Sequence, residues 1–267
     1  MATLSAEGLA PSTVRLCVRQ LASIFNAAAL DHLVPTSPVT RLSLPRAEDD
    51  RVVPLVVDQV RALAEAMPDR NRAMVYVQAG LGLRLGELLA LRDVDVDFLR
   101  RTARVEHQLE RGTRARVDPK TPRSRRTIPL PTMVAEALAA HMAEFPPLAD
   151  GSLFYGKNER HYQHLVYGDR IFHKVADQLA ATKGSTFPAG ITTHDLRRHY
   201  ASVLLADGES VVAVAERLGH EDATMVLWVY GHLLPDSEDR TRKAVDAAWR
   251  GLAGGDGEAA TVQGRSQ

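Results

Sequence analysis

One stretch with β-like alternation, from Thr102 to Leu130, interrupts a chain whose other patterned segments have helical periodicity. Within it, TARVEHQL and RRTIPL are strand-like, and a turn region around Pro119–Pro122 separates them. A third short strand is expected to end near Phe98. So few short strands cannot enclose a core by themselves, and helices must cover them. The pattern therefore predicts a mainly helical α+β domain with a small three-stranded antiparallel sheet at one edge.

Apolar residues recur at helical spacing through most of the remaining chain. Gly208 and Gly219 stand where helices commonly end, because glycine readily takes the left-handed conformation of a C-terminal cap. A short helix is expected to contain Leu85, Leu88 and Leu89. The other predicted helices are Pro11–Leu33, Asp58–Met67, Asn71–Ala79, Thr132–Phe145, Leu165–Ala181, Thr193–Ala206, Ser210–Leu218, Asp222–Tyr230 and Asp236–Trp249.

The chain has 267 residues, which suits one large domain and one small one. Its predicted parts are a helical fragment (1–45), a polar linker (46–54), the main domain (55–250) and a disordered Gly/Ala-rich tail (251–267). No apolar run is long enough to cross a membrane, and the N-terminus lacks the pattern of a signal peptide. Cys17 is the single cysteine, which excludes an internal disulfide. A cytoplasmic protein is expected.

The net charge is zero, but the charge is unevenly distributed. Ten basic residues lie between Arg100 and Arg126, and only Glu106, Glu110 and Asp118 oppose them. Such a run is either a solvated face or a surface for an anionic partner. The chain contains 28 Arg and five Lys, and Lys120 is the only lysine before Lys157. Because lysine can release a proton in a protein and arginine cannot, its place inside an arginine run suggests proton transfer.

Six side chains form a set that suits a phosphodiester. Arginine forks bind phosphate oxygens, and a tyrosine becomes a nucleophile when a base takes its proton and cations offset the developing charge. His194 and Arg197 are one helical turn apart and therefore share a face. The full set is Arg84, Lys120, His194, Arg197, His220 and Tyr230.

Each of these residues also has a structural interpretation. A lone HxxR pair on a helix is most often structural, a lysine in a turn is usually solvated, and Tyr230 could be one more core aromatic among its apolar neighbours. If Tyr230 is functional, those neighbours are expected to anchor its short helix on the core. The order of the whole set, rather than any one residue, favours chemistry.

In that order the set resembles the tyrosine recombinase (phage integrase) family. AGLGLRLGELLALRDVDVDF is similar to the first arginine box, with Arg84 in the catalytic place and Glu87 as its acidic neighbour. DPKTPRSRRTIPLP resembles the hairpin with the catalytic lysine, here Lys120. THDLRRHYAS resembles the second box, and LGHEDATMVLWVYGHL resembles the last box, which carries the nucleophile. The resemblance covers about Val52 to Trp249.

The resemblance implies a catalytic DNA breaking-rejoining domain preceded by a partial helical core-binding domain. It implies cleavage and rejoining of double-stranded DNA recombination sites through a 3′-phosphotyrosyl intermediate, with no metal, ATP or other cofactor. The implied partners are other copies of the chain, in a homotetramer on DNA, and an accessory directionality factor. The residues expected to contact DNA outside the catalytic set are Arg114, Arg116, Arg123, Arg125, Arg126 and Arg198.

The sequence departs from the family pattern at two places. Leu81 stands where threonine is common, and the first helices of the core-binding domain are expected to be missing. The alternative is therefore an N-terminally truncated, non-catalytic DNA-binding remnant of an integrase.

A metal-dependent nuclease using HYQH (His161–His164) lacks an accompanying carboxylate cluster. A type IB topoisomerase shares the chemistry, but the boxes are more similar to integrases.

Overall fold

The computed structural model describes residues 9–40, 42, 44, 53–119, 121–231 and 238–249. The chain divides into two compact units, Met1–Arg51 and Val52–Gln267. Most of the predicted linker (46–54), the whole predicted tail (251–267) and Lys120 lie outside the described residues. No helix in the described ranges has the length and apolar character required to cross a membrane.

The first unit contains one long helix, α1 (Pro11–Leu30). Pro11 suits the first helical turn, where its missing N–H costs nothing. Val14 and Val18 are buried one turn apart. The helix ends three residues before the predicted Leu33, because His32 takes a left-handed conformation (φ 58°) and the Leu33 N–H turns back to the Ala28 carbonyl at 2.8 Å.

The second unit is built mainly from helices around the buried helix α3. Met74, Val75 and Val77 of α3 are fully buried on different sides of it, which is typical of a helix enclosed by its neighbours. Helices α2, α5 and α7 pack against it. The helices are α2 (Val57–Ala66), α3 (Asp69–Leu81), α4 (Leu85–Ala90), α5 (Thr132–Glu144), α6 (Lys174–Ala181), α7 (Thr193–Ala206), α8 (Val211–Leu218), α9 (Thr224–Tyr230) and α10 (Glu238–Trp249).

The predicted three-stranded antiparallel sheet is confirmed, with strand order β1-β2-β5. Its inner face is apolar: Ala103 pairs with Ile128, and these two and Val105 are buried. A separate two-stranded hairpin, which the sequence analysis did not separate from this sheet, pairs β3 with β4. The strands are β1 (Val96–Asp97), β2 (Thr102–Val105), β3 (Gln108–Leu109), β4 (Arg116–Val117) and β5 (Arg126–Pro129).

The predicted helix over Leu165–Ala181 is present, but its first half is not an α-helix. Val166–His173 forms a π-helix, and α6 continues from Lys174. The i→i+5 bonding of a π-helix brings residues five apart to nearly the same side. Tyr167 and Phe172 are therefore both fully buried, with ring centroids 6.2 Å apart. An α-helix would turn one of the two rings away from the core.

Candidate active site

Two glycines that end helices present backbone carbonyls to the two arginines of the predicted site. Gly82 (φ 63°) follows α3, and Gly219 (φ 66°) follows α8. The Gly82 carbonyl accepts a hydrogen bond from Arg197 Nη1 at 2.7 Å, and the Gly219 carbonyl accepts one from Arg84 Nη2 at 3.0 Å. Any larger residue at position 82 would also collide with Tyr200, whose Cδ1 would lie 2.4 Å from an added Cβ.

Arg197 is almost completely buried on α7, with 1% of its surface exposed. Its Nη2 donates to the Leu218 carbonyl at 2.6 Å, so both terminal nitrogens have an acceptor. Burial and the nearby charge of Arg84 lower the pKa of Arg197 to about 9. The guanidinium is therefore still charged at pH 7. Each terminal nitrogen carries two hydrogens, which leaves one on each to bind an anion.

Glu87 is the counter-charge of this site and links two arginines. Its carboxylate accepts from the backbone N–H of Arg84 at 2.9 Å, from Arg84 Nη1 at 2.8 Å and from Arg126 Nη2 at 2.8 Å. Burial raises the pKa of Glu87, but the hydrogen bond and charge of Arg126, with the charges of Arg197 and Arg84, outweigh it and lower the pKa to about 2. One carboxylate thus faces three guanidinium groups, and the site keeps a positive surplus.

Glu87→Gln is expected to lower the free energy of unfolding by about 3 kcal/mol. Arg84 and Arg126 both lose their carboxylate partner, and Arg126 remains buried without a counter-charge. Urea denaturation monitored by circular dichroism would measure the change. The matched control is Asp58→Asn, which breaks the exposed Asp58–Arg61 pair and should change the free energy by less than about 0.5 kcal/mol. Equal losses in the two variants would contradict the structural role of Glu87.

The two histidines of the set are held neutral beside the arginines. Burial, followed by the charges of Arg197 and Arg84, lowers the pKa of His220 to about 4. Partial shielding from water and the charge of Arg197 also lower the pKa of His194. His220 Nδ1 is buried and has no hydrogen-bond partner among the described residues. Neutral imidazoles can donate from one nitrogen and accept at the other, so both histidines are suited to proton transfer or hydrogen bonding at pH 7.

The position of His194 follows from the cap of α7. Asp195 accepts hydrogen bonds from the N–H and the Oγ1 of Thr192, at 2.8 Å and 2.7 Å, and fixes the start of the helix. His194 and Arg197 then lie on one helix face, as their spacing predicted. His220 follows Gly219 directly, and its N–H donates to the Ala215 carbonyl at 3.0 Å.

Tyr230 is the last residue of α9 and is only 4% exposed. Burial raises the pKa of its hydroxyl, and the charges of Arg197 and Arg198 act in the opposite direction. Tyr230 and Arg197 are thus close enough for their charges to interact. The expectation that its apolar neighbours anchor the helix holds for only some of them. Val226, one turn earlier, is fully buried, whereas Met225 and Trp228 are 55% and 80% exposed.

Arg126 was expected to contact DNA, but the structure directs it into the site. Its side chain is only 6% exposed, and its Nε donates to the Arg217 carbonyl at 2.7 Å. Through Glu87 and Arg217 it joins strand β5 to α4 and to the end of α8. This role could not be predicted from the sequence, because a buried arginine in a basic run cannot be distinguished by composition from its exposed neighbours.

Arg116 is also tied to other parts of the fold. Its Nη2 donates to Ser152 Oγ at 2.6 Å, and its Nη1 lies 3.3 Å from Asp150 Oδ2. His161 Nε2 completes the group, 2.8 Å from Ser152 Oγ and 3.0 Å from Asp150 Oδ2. This group of four residues, Arg116, Asp150, Ser152 and His161, is called the hairpin clasp below. It fixes strand β4, which ends three residues before Lys120.

The remaining predicted DNA contacts lie nearer to the surface. The Arg125 side chain is 51% exposed and pairs with Asp118, whereas Arg198 is 37% exposed and pairs with Asp195. Arg123 Nη1 donates to the Glu221 carbonyl. Arg114 stands in a left-handed conformation (φ 64°) in the β3–β4 hairpin. Lys120 cannot be placed against this site, because it lies outside the described residues.

The described part of the chain contains no group of three His, Cys, Asp or Glu side chains that could hold a metal ion. In the HYQH segment, His161 belongs to the hairpin clasp. His164 instead lines a cavity of about 580 Å³, which Arg111 and His194 also line. The five described members of the predicted catalytic set come from the residue before α4, from α7, from the α8–α9 turn and from α9. Arg84 and Arg197 donate to carbonyls of the Leu218–Gly219 turn, and the charge of Arg197 acts on the other three.

Comparison with known proteins gives several matches. The model of the phage integrase family matches residues 54–236. A tyrosine recombinase XerC-like protein of Caldanaerobacter subterraneus is 26% identical over 253 residues, which cover 86% of this chain and 64% of that protein. A putative prophage phiRv2 integrase of Mycobacterium tuberculosis is 29% identical over 213 residues, covering 78% of this chain and 55% of that one. The chain therefore spans less than two thirds of the length of both relatives.

Among solved structures, the Tn1549 transposon integrase in complex with a circular intermediate DNA superposes with a TM-score of 0.77. The match covers 92% of this chain and 82% of that chain, at 23% sequence identity. At this identity the likeness concerns the fold. This chain therefore shares its fold with that integrase.

Proposed function

Because this chain belongs to the phage integrase family, we propose that it is a site-specific tyrosine recombinase. It cleaves and rejoins double-stranded DNA at recombination sites through a 3′-phosphotyrosyl intermediate. The observation that carries the proposal is that Arg84 and Arg197 donate to neighbouring carbonyls of one turn, while Tyr230 and two neutral histidines lie close enough for the charge of Arg197 to act on them.

The first step is attack on the scissile phosphate. The Tyr230 oxygen attacks phosphorus, and His194, neutral at pH 7, takes the phenolic proton. Arg84 and Arg197 bind the two non-bridging oxygens and offset the charge of the pentacoordinate transition state. His220 donates a hydrogen bond to the same phosphate.

The second half of this step is departure of the 5′-oxygen. Lys120 gives its proton to that oxygen as the phosphorus–oxygen bond breaks, a role that the surrounding arginines cannot fill. Tyr230 is then joined to the 3′-phosphate. Rejoining is the reverse reaction: a 5′-hydroxyl, on the same or another strand, attacks phosphorus and the tyrosine regains its proton. One phosphodiester bond is exchanged for another, so the reaction needs no ATP, and the proposed mechanism uses no metal.

The proposed partners are two DNA duplexes, other copies of this chain in a homotetramer, and an accessory directionality factor. The exposed apolar residues Val245 and Trp249 of α10, 51% and 63% exposed, support contact with a neighbouring copy. The proposed location of the protein in the cell is on DNA in the cytoplasm.

The test is covalent selection from a pool of nicked duplexes whose central region is randomised. Cleavage beside a nick releases a short fragment, so the reaction cannot reverse and the protein stays attached to the DNA. We expect a protein–DNA complex that survives SDS. Protease treatment should leave a short peptide attached to the DNA strand, and one sequence should be enriched in the pool. The selected duplex then serves as the substrate in all other assays.

A native gel-shift with the same pool distinguishes the non-catalytic remnant. A remnant would retard DNA without forming any SDS-stable complex, and that result would overturn the proposed activity. Addition of EDTA tests the metal-dependent alternative. Covalent complex formation should be unchanged in EDTA, whereas loss of the complex would contradict the proposed mechanism.

A further inference from the structure

A second cavity, which is basic, lies in the second unit, and neither Arg84 nor Arg197 lines it. It has a volume of about 490 Å³ and lies between the start of α3, the β3–β4 hairpin and residues 156–163. Four cationic side chains line it, together with His161, and no carboxylate among the described residues does. None of the four forms an ion pair with any residue that the structure describes. They are Arg70, Arg114, Lys157 and Arg160.

Arg70 is fixed in place before any ligand arrives. Its guanidinium carbon lies 4.3 Å from the ring centre of Phe145 and 4.9 Å from that of Tyr155, so two aromatic rings hold it. Its Nη1 is buried and has no hydrogen-bond acceptor among the described residues. A buried donor without an acceptor is costly, and an anion in the cavity would relieve that cost.

Arg114, which also lines the cavity, has the same property. Its Nε is buried and has no acceptor in the described part of the chain. The hairpin that carries it is fixed by the hairpin clasp, because Arg116 holds Asp150 and Ser152, and His161 Nδ1 lies 3.4 Å from the Arg114 carbonyl. Asp150, the carboxylate of the clasp, is therefore already engaged and does not neutralise the cavity.

The cavity adjoins the proposed catalytic centre. Gln163 lines both this cavity and the neighbouring one of about 580 Å³, which reaches His194 and contains Arg111. A strand that places its scissile phosphate at Arg84 and Arg197 can thus continue past Arg111 towards Arg114. The walls formed by Pro68, Val166 and Ile171 are apolar and suit a sugar rather than a second charge.

We propose that this cavity binds a phosphate group, held by Arg70 and Arg114 with Lys157 and Arg160 at its entrance. The phosphate comes from the backbone of the bound DNA, away from the scissile position, or from a free nucleotide or pyrophosphate. The DNA source rests on the proposed function, whereas the free source does not. Guanidinium groups are suited to either, because their donors match phosphate oxygens in pairs.

The experiment compares the full chain with Arg114→Gln and Arg160→Gln. Arg61→Gln is the control, an exposed arginine on α2 that lines none of the cavities described here. In the first arm, fluorescence anisotropy measures the affinity for a labelled duplex of roughly 30 base pairs between about 50 and 200 mM KCl. Each cavity variant should bind about fivefold more weakly and reduce the slope of log affinity against log salt by about one, whereas Arg61→Gln should match the wild type.

In the second arm, calorimetry without DNA measures binding of inorganic pyrophosphate to the same proteins. If pyrophosphate binds the wild type and not the cavity variants, while the DNA slopes are all equal, the free phosphate is the source. If both arms give wild-type values for Arg114→Gln and Arg160→Gln, the cavity binds no phosphate and the proposal is overturned. Circular dichroism spectra identical to the wild type show that both variants fold.

Failure of this proposal can be distinguished from failure of the proposed function. Covalent complexes formed by the wild type, with unchanged salt slopes in the cavity variants, would refute the cavity alone. Reduced slopes in a protein that forms no covalent complex would refute the recombinase activity and leave the phosphate site standing.

Discussion

Tyr230→Phe should abolish the SDS-stable complex with the nicked duplex, while its affinity for the same DNA should change by less than about twofold. The substitution removes the attacking oxygen and keeps the ring, which is 4% exposed and packs with the core. Because no other group takes over a missing nucleophile, the loss should be complete within the detection limit of the assay. Labelled DNA resolved on a denaturing gel would measure it.

Tyr200→Phe is the matched control for this experiment. Tyr200 is also buried, 9% exposed, and its ring lies against Gly82, beside the same arginines. If burial near the cationic centre were sufficient for activity, the two variants would behave alike. We expect Tyr200→Phe to keep forming the covalent complex. Trapping of DNA by Tyr230→Phe would show that another residue is the nucleophile.

Lys120→Met should slow cleavage of an ordinary phosphodiester by about 10²- to 10⁴-fold, which is the usual contribution of a general acid. With a substrate whose leaving 5′-oxygen is replaced by sulfur, the loss should nearly disappear. A thiolate is a far better leaving group than an alkoxide because its conjugate acid is stronger, and it needs no proton from the protein. Single-turnover cleavage of the two substrates would measure the ratio.

Lys120→Arg separates charge from proton transfer. Arginine keeps the positive charge but cannot release its proton, so this variant should resemble Lys120→Met on the oxygen substrate and the wild type on the sulfur substrate. Lys183→Arg, an exposed lysine outside both cavities, should cleave both substrates at the wild-type rate. An equal loss on oxygen and sulfur substrates in Lys120→Met would rule out the general-acid role.

The parts of the fold that depend on short stretches of sequence, such as helix ends and the small sheet, were predicted correctly. Helix α7 begins and ends at the predicted Thr193 and Ala206, because Thr192 and Asp195 form its N-terminal cap and Gly208 follows its end. The small sheet was also predicted, since alternation over Thr102–Val105 and Arg126–Pro129 is unambiguous. These features depend on neighbours in sequence.

Features that depend on distant contacts could not be predicted. The π-helix over Val166–His173 has the same apolar periodicity as an α-helix, and only the need to bury Tyr167 and Phe172 together distinguishes it. In the same way, the basic run gave no sign that Arg126 turns inward to Glu87, 39 positions earlier in the chain. The members of the catalytic set were proposed from the sequence, but the carbonyl contacts that hold its two arginines could not be predicted.

The carbonyl acceptors at Gly82, Leu218 and Gly219 have a consequence for the barrier of the proposed reaction. An arginine side chain free in solution loses about 2 kcal/mol of rotational entropy when it is fixed. Here that loss accompanies folding, since the helix ends already hold Arg84 and Arg197. A phosphate that arrives meets donors with their orientation set, so little reorganisation remains between the bound state and the transition state. In the proposed mechanism, the folding of these two helix ends thus contributes to the catalytic rate.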